Sequence, residues 1–181
     1  MIFLANQVSL PIKDLNDLRE FKEAIRMTQN GFRNLLLVEI GLATGLRIND
    51  ILKLKKKDIF GGFVTVKIQK TKEYKQIQFN PRVWAMVQSY SEELSEEDYL
   101  FDIKYGQAYK IIKKAADMVG LKGISSHSLR KTAAWHYYRH VDHDIRLTQE
   151  FLGHESPVDT IRYLNLKQEE VNKKLVTMDL V

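Results

Sequence analysis

At 181 residues, 44% hydrophobic and 28% charged, the chain can bury the core of one ordinary domain and is too apolar to remain disordered. It has no cysteine, which excludes a disulfide framework and thiolate metal sites and favours a cytoplasmic setting. No stretch approaches the roughly 20 apolar residues of a membrane helix. The net charge of +5 and isoelectric point near 9.2 suit a polyanionic partner.

In chain order, residues 12–29 predict an amphipathic helix, with Leu15, Leu18, Phe21 and Ile25 at helical spacing after Pro11. "NGFRNLLLVEIGLATGLR" predicts a second helix of about 12 residues, broken near Gly41–Gly45. "INDILKLKKKDI" predicts a short helix running into a strand. "GGFVTVKIQ" alternates β-formers after a Gly-Gly turn and pairs with "KQIQFN" across "KTKEY". Asn80 and Pro81 supply the cap and first turn of a helix through Tyr90. From Gly106 onward the pattern is helical, punctuated by Gly120, Gly123, Gly153 and Pro157. The expected class is α+β, mainly α-helical, with a small antiparallel sheet of two or three strands.

Charge is unevenly placed. Eight lysines against Asp58 and Glu73 fall between Lys53 and Lys75, whereas residues 92–98 carry five acids and no base. Lys53, Lys55, Lys56, Lys57, Lys72 and Lys75 suit contacts to a phosphate backbone. A solvated lysine-rich face explains the same block.

Four stretches carry candidate chemistry. In "SSHSLRKT", Ser126 as N-cap leaves His127 and Arg130 three apart on the first turn of a helix, where unsatisfied N–H groups also favour an anion. In "ATGLRIND", Gly45 aims Arg47 inward from an apolar helix, and such a cation needs either Asp50 or a bound phosphate. The hairpin lysines Lys70, Lys72 and Lys75 are equivalent by chemistry alone. In "FLGHESPVDTIRYL", Gly153 closes a helix, His154 sits on a tight connection, Ser156 and Pro157 start the next helix, and Tyr163 follows about two turns later. A tyrosine hydroxyl has a pKa near 10, so it needs cationic or basic neighbours to act as a nucleophile; alone, Tyr163 reads as a packing residue. His136, His140 and His143 have helical spacing, but without an HExxH glutamate or any cysteine they predict no metal site.

Taken in order, "ATGLRINDIL", "IQKTKEYKQIQF", "SHSLRKT" and "LGHESPVDTIRYL" strongly resemble the tyrosine recombinase (phage integrase) family over residues 34–164. Each element is weak alone; their order and spacing together are specific. The resemblance implies a helical catalytic domain with a small antiparallel sheet and an active set of Arg47, Lys70, His127, Arg130, His154 and Tyr163. Lys70 is chosen because it ends the strand and precedes the turn. Tyr163 would attack a DNA phosphodiester, forming a 3′-phosphotyrosyl link and releasing a 5′-hydroxyl. Arg47, Arg130 and His154 would hold the phosphate, His127 would assist proton movement at the tyrosine, and Lys70 would protonate the departing oxygen. The resemblance implies no ATP, metal or other cofactor, double-stranded DNA as partner, and integration, excision or inversion as outcome, at the nucleoid in a bacterial cytoplasm.

There are two departures. Asp50 stands where the family commonly has glutamate. Only about 30 residues precede the motif region, too few for a separate N-terminal core-binding domain by the size of ordinary domains. The expected organisation is one catalytic domain, 1–181, with a core over 12–164 and a helical tail over 165–181. It is either an excised domain or the short type resembling fimbrial-switch invertases. In the tail, Val171, Leu175 and Met178 at helical spacing suit either a homo-tetramer on DNA or packing on the chain's own core. An inactive DNA-binding domain and a type IB topoisomerase are the alternative functions.

Overall fold

The computed structural model of the chain describes residues 9–67 and 74–164. Lys70, Lys72 and the tail over 165–181 therefore lie outside the described residues. Among the described residues the α-helices and strands follow in the order α1 (Leu15–Arg26), α2 (Gly31–Thr44), α3 (Ile48–Ile51), β1 (Ile59–Phe60), β2 (Phe63–Lys67), β3 (Tyr74–Gln78), α4 (Pro81–Ser91), α5 (Tyr105–Met118), α6 (Ser126–His140), α7 (Ile145–Leu152) and α8 (Pro157–Leu164). This is the expected mainly helical class with a small antiparallel sheet, ordered β1-β2-β3.

Local chemistry sets the helix boundaries. The Asp14 carboxylate accepts the N–H groups of Asn16 at 2.7 Å and Asp17 at 3.1 Å, so α1 begins later than its periodicity predicts. Leu18, Phe21 and Ile25 are buried, but Leu15, in the first turn, is 68% exposed. Ile12 lies before the helix and is held by α6: its N–H donates to Thr132 Oγ1 at 2.9 Å, and its carbonyl lies 3.0 Å from His136 Nε2. α2 runs unbroken through Gly41, whose lost entropy is offset by packing on Ile51 and Leu129, and ends at Gly45. The cap of α6 is Ser125, one residue earlier than expected. Its Oγ accepts the His127 N–H at 3.2 Å, and Ser128 Oγ accepts the Ser125 N–H at 3.0 Å. His127 and Arg130 keep their places near the helix start.

α2 is apolar nearly all round because it is the central helix, packed by α1, α3, α4 and α6. Its one buried charge, Glu39, pairs with Lys22 of α1 at 3.2 Å and Arg82 of α4 at 2.5 Å. Both cations reach solvent and the carboxylate does not, which makes the pair asymmetric. Removing Lys22 and Arg82 together strands a buried carboxylate and should cost about 3–5 kcal/mol. Glu39→Gln frees two cations that can hydrate, for about 1 kcal/mol. Chemical denaturation of the two variants checks this order; equal losses would refute it.

The apolar side chains form a main core and a smaller one. The second comprises Ala134, Leu152 and Leu164, with Tyr138, Ile145, Phe151 and Tyr163 packed against it. No helix among the described residues is long and apolar enough to cross a membrane.

Candidate active site

Two helix C-termini and the start of α6 converge on Arg130. Gly45, closing α2, and Gly153, closing α7, both adopt the left-handed conformation, with φ of 64° each. A side chain at Gly45 would also meet the Phe151 ring at 2.8 Å. Arg130 Nη1 donates to the Gly45 carbonyl and Nη2 to the Leu152 carbonyl, each at 2.6 Å. Helix C-termini carry partial negative charge, so they suit a cation without neutralising it. Lys75 Nζ takes two more carbonyls of the same α7 turn, Glu150 at 2.5 Å and Phe151 at 3.3 Å. Burial, opposed by Glu150 and reinforced by Arg130, lowers the Lys75 pKa.

Arg130 is buried, no carboxylate pairs with it, and its Nε has no partner among the described residues. Arg47 is exposed at the cap of α3; Asp50 does not pair with it. Arg47, Lys53, Lys67, Lys75 and Arg130 line a cleft of about 480 Å³ against one acid, Asp50. A second hollow of about 480 Å³ holds His127, Lys131, His154 and Tyr163. A further hollow of about 680 Å³ is lined by Phe60, Trp84 and Glu92, with neither histidine nor arginine in its lining.

Tyr163 stands between two imidazoles. Its hydroxyl lies 3.4 Å from His127 Nε2, and the His127 and His154 rings meet it edge-on at 5.7 and 5.2 Å. The Arg130 guanidinium is 5.9 Å and the Lys131 ammonium 5.6 Å from its ring centre. Burial pushes the Tyr163 pKa up to about 12, with Arg130 and Arg47 pulling against it. Burial lowers His127, helped by Lys131, Arg130 and Arg47, and it lowers His154, helped by Arg130 and Arg47. Both histidines are thus neutral at neutral pH. The cluster offers a protonated phenol, a neutral imidazole near its hydroxyl and two guanidinium groups that pair with no carboxylate among the described residues.

The model of the phage integrase family matches residues 10–170. The chain belongs to the phage integrase family. The probable integrase/recombinase YoeC of Bacillus subtilis (strain 168) is 32% identical over 167 residues, covering 88% of this chain and 91% of YoeC. Tyrosine recombinase XerA of Saccharolobus solfataricus is 29% identical over 141 residues, covering 77% of this chain and 48% of XerA. The chain thus spans nearly all of YoeC but about half of XerA. Among solved structures, XerH recombinase in a pre-cleavage complex with its difH substrate superposes with a TM-score of 0.72 at 24% identity, over 97% of this chain and 56% of that one. Integrase-family membership bears out the expected enzyme class, a tyrosine-type site-specific DNA recombinase.

In this integrase-family chain, Arg47, His127, Arg130, His154 and Tyr163 come together around the two hollows. Of the six lysines suited to a phosphate backbone, Lys72 lies outside the described residues and the other five divide. Lys53 lines the cleft and Lys75 holds α7. Lys55 and Lys57 share Glu97 at 2.9 and 2.7 Å, and Lys56 donates to the Leu94 carbonyl at 2.6 Å. The acidic run reaches them because residues 55–57 bond along residues 96–99. Lys131 and Thr160 were not singled out by the motifs. Lys131 follows His127 by four positions, the helical spacing that places both on one face.

Proposed function

We propose that the chain cuts and rejoins double-stranded DNA through Tyr163, as a site-specific recombinase acting in integration, excision or inversion. One observation carries this reading: a buried guanidinium with no carboxylate partner among the described residues, Arg130, lies beside a tyrosine whose hydroxyl faces a neutral imidazole. A buried, permanently charged group calls for an anion, and a phosphodiester supplies one.

Tyr163 Oη attacks phosphorus, its proton passes to His127 Nε2, and the bond to the 5′ oxygen breaks. Arg47 and Arg130 offset the charge that builds on the non-bridging oxygens, to which His154 donates a hydrogen bond. Lys70 protonates the departing 5′ oxygen. The phosphotyrosyl ester keeps the energy of the broken bond, so attack by a 5′-hydroxyl rejoins the strand without ATP. The arginines meet the charge requirement, so the mechanism includes no metal or other cofactor. Lys53 and Lys67 border the cleft as backbone contacts, and the tail over 165–181 joins protomers into a homo-tetramer on DNA at the bacterial nucleoid.

The test is covalent capture: the chain is incubated with duplexes nicked beside trial sites, denatured, and probed for protein linked to a 3′ end. A 3′ adduct supports the proposal. Tight, specific binding with no adduct would favour an inactive DNA-binding domain.

The pH dependence follows from the two shifted groups. His127 accepts the proton only when neutral, and its lowered pKa places the acid limb below the ordinary value of about 6.5. Tyr163, near 12, adds no upper limb below that pH. The second-order rate of adduct formation, which reports the free protein, should rise to about pH 6.5 and stay level from about 7 to 9. A rate climbing tenfold per pH unit across that range would mean that solvent, and not His127, takes the tyrosine proton.

A further inference from the structure

α8 carries a second residue that reaches the site. Thr160 precedes Tyr163 by three positions and is fully buried, and its Oγ1 lies 3.0 Å from His154 Nδ1. Three other buried helical threonines use their hydroxyls differently. Thr44 donates to the Ile40 carbonyl at 2.7 Å, Thr132 to Ser128 at 2.8 Å and Thr148 to Asp144 at 2.7 Å, each four residues back. Thr160 makes no such bond. Among the described residues its hydroxyl has one partner, His154.

A buried hydroxyl proton needs an acceptor, and Nδ1 is the one in reach. An imidazole that accepts at Nδ1 and is neutral carries its proton on Nε2. His154 is held neutral by burial and by Arg130 and Arg47, so it has a single N–H to place. On Nε2 that proton can be donated to a phosphate; on Nδ1 it would leave a lone pair facing the phosphate oxygen.

We infer that Thr160 is a positioning residue, fixing the ring orientation and Nε2–H tautomer of His154 so that the imidazole offers a donor to the phosphate. The inference rests on the proposed role of His154 at the scissile phosphate. Because Thr160 and Tyr163 share α8, seating that helix sets the histidine donor and the nucleophile together. Ser156 Oγ caps the same helix by accepting the Val158 N–H at 3.1 Å, and the His154 carbonyl is held by Gln149 Nε2 at 3.0 Å. The turn thus fixes the backbone of His154, and Thr160 fixes its ring.

The experiment uses the full chain and two variants, Thr160→Val, which keeps shape and removes the hydroxyl, and Thr160→Ser, which keeps the hydroxyl. Nitrogen-15 NMR of histidine-labelled protein, with His154 assigned by its loss in His154→Gln, reads the tautomer without DNA. The wild type and Thr160→Ser should show Nδ1 as acceptor and Nε2 protonated, and Thr160→Val should lose that single pattern. A wild-type His154 protonated on Nδ1 would overturn the inference even if no DNA adduct ever formed. In single-turnover capture on nicked duplex, Thr160→Val should slow adduct formation by on the order of tenfold to a hundredfold, with DNA affinity unchanged. Thr160→Ser should restore the rate to within about threefold of wild type, well inside the loss that misplacement causes. In a His154→Gln background, Thr160→Val should cause no further loss; an equal loss there would assign Thr160 a role independent of the histidine.

Discussion

Tyr163→Phe should form no DNA-linked protein on any nicked duplex that captures the wild type, while binding that duplex equally well. The substitution removes one oxygen and keeps the ring packed between His127 and His154. The lost hydroxyl has a long contact, 3.4 Å to His127 Nε2, so the cost in stability should stay below about 1 kcal/mol. A denaturing gel reads the adduct, and a gel shift with a thermal melt shows that the variant is folded and bound. An adduct surviving in Tyr163→Phe would move the nucleophile to another side chain and undo the proposed mechanism.

The second large effect separates two arginines that the motifs present as equals. Arg130→Lys should slow adduct formation by about 10²–10³, the usual loss for one preorganised contact to developing charge. Lysine carries the charge, but a single ammonium cannot span the Gly45 and Leu152 carbonyls and keep a flat fork beside Tyr163. Arg130→Ala should also destabilise the fold, since two buried carbonyls lose their donors at about 1–3 kcal/mol each. Arg47→Ala should lose rate to a similar degree with an unchanged melting temperature, because Arg47 is exposed and unpaired among the described residues. Single-turnover rates paired with thermal melts decide it. A melting temperature lowered equally by both alanine variants would contradict the division into a buried, structural arginine and an exposed one.

Much of the fold was legible because its signals are local. Asn80 before Pro81 starts a helix wherever it occurs, and Gly153 ends one through a conformation other residues avoid. Misreadings arose where a local rule met tertiary packing. Gly41 read as a break, yet Ile51 and Leu129 pack on the surface it leaves open. Leu15 matched the apolar period of α1 but precedes the part of the helix that meets the core. Ser126 and Ser125 are equivalent as capping residues on paper; in the fold Ser125 caps α6, and Ser126, inside its first turn, shares a hydrogen bond with the Tyr105 hydroxyl at 2.7 Å.

The order of the helices and the small sheet between them could be read from the chain, because turn chemistry and periodicity depend only on neighbours along it; Arg47, His127, Arg130, His154 and Tyr163 came from the family resemblance of their motifs, and the fold brings them around the two hollows. How charge is balanced depends on contacts between distant segments. Glu97 lies 40 residues from Lys57 and takes up its charge, Leu152 and Gly45 come from separate helices to hold Arg130, and Thr160 meets His154 across a turn. Electrostatic and hydrogen-bond pairing depends on distance through space. Among the described residues, the fold therefore sets which lysines remain available to a phosphate backbone and which arginine is left buried without a counter-anion.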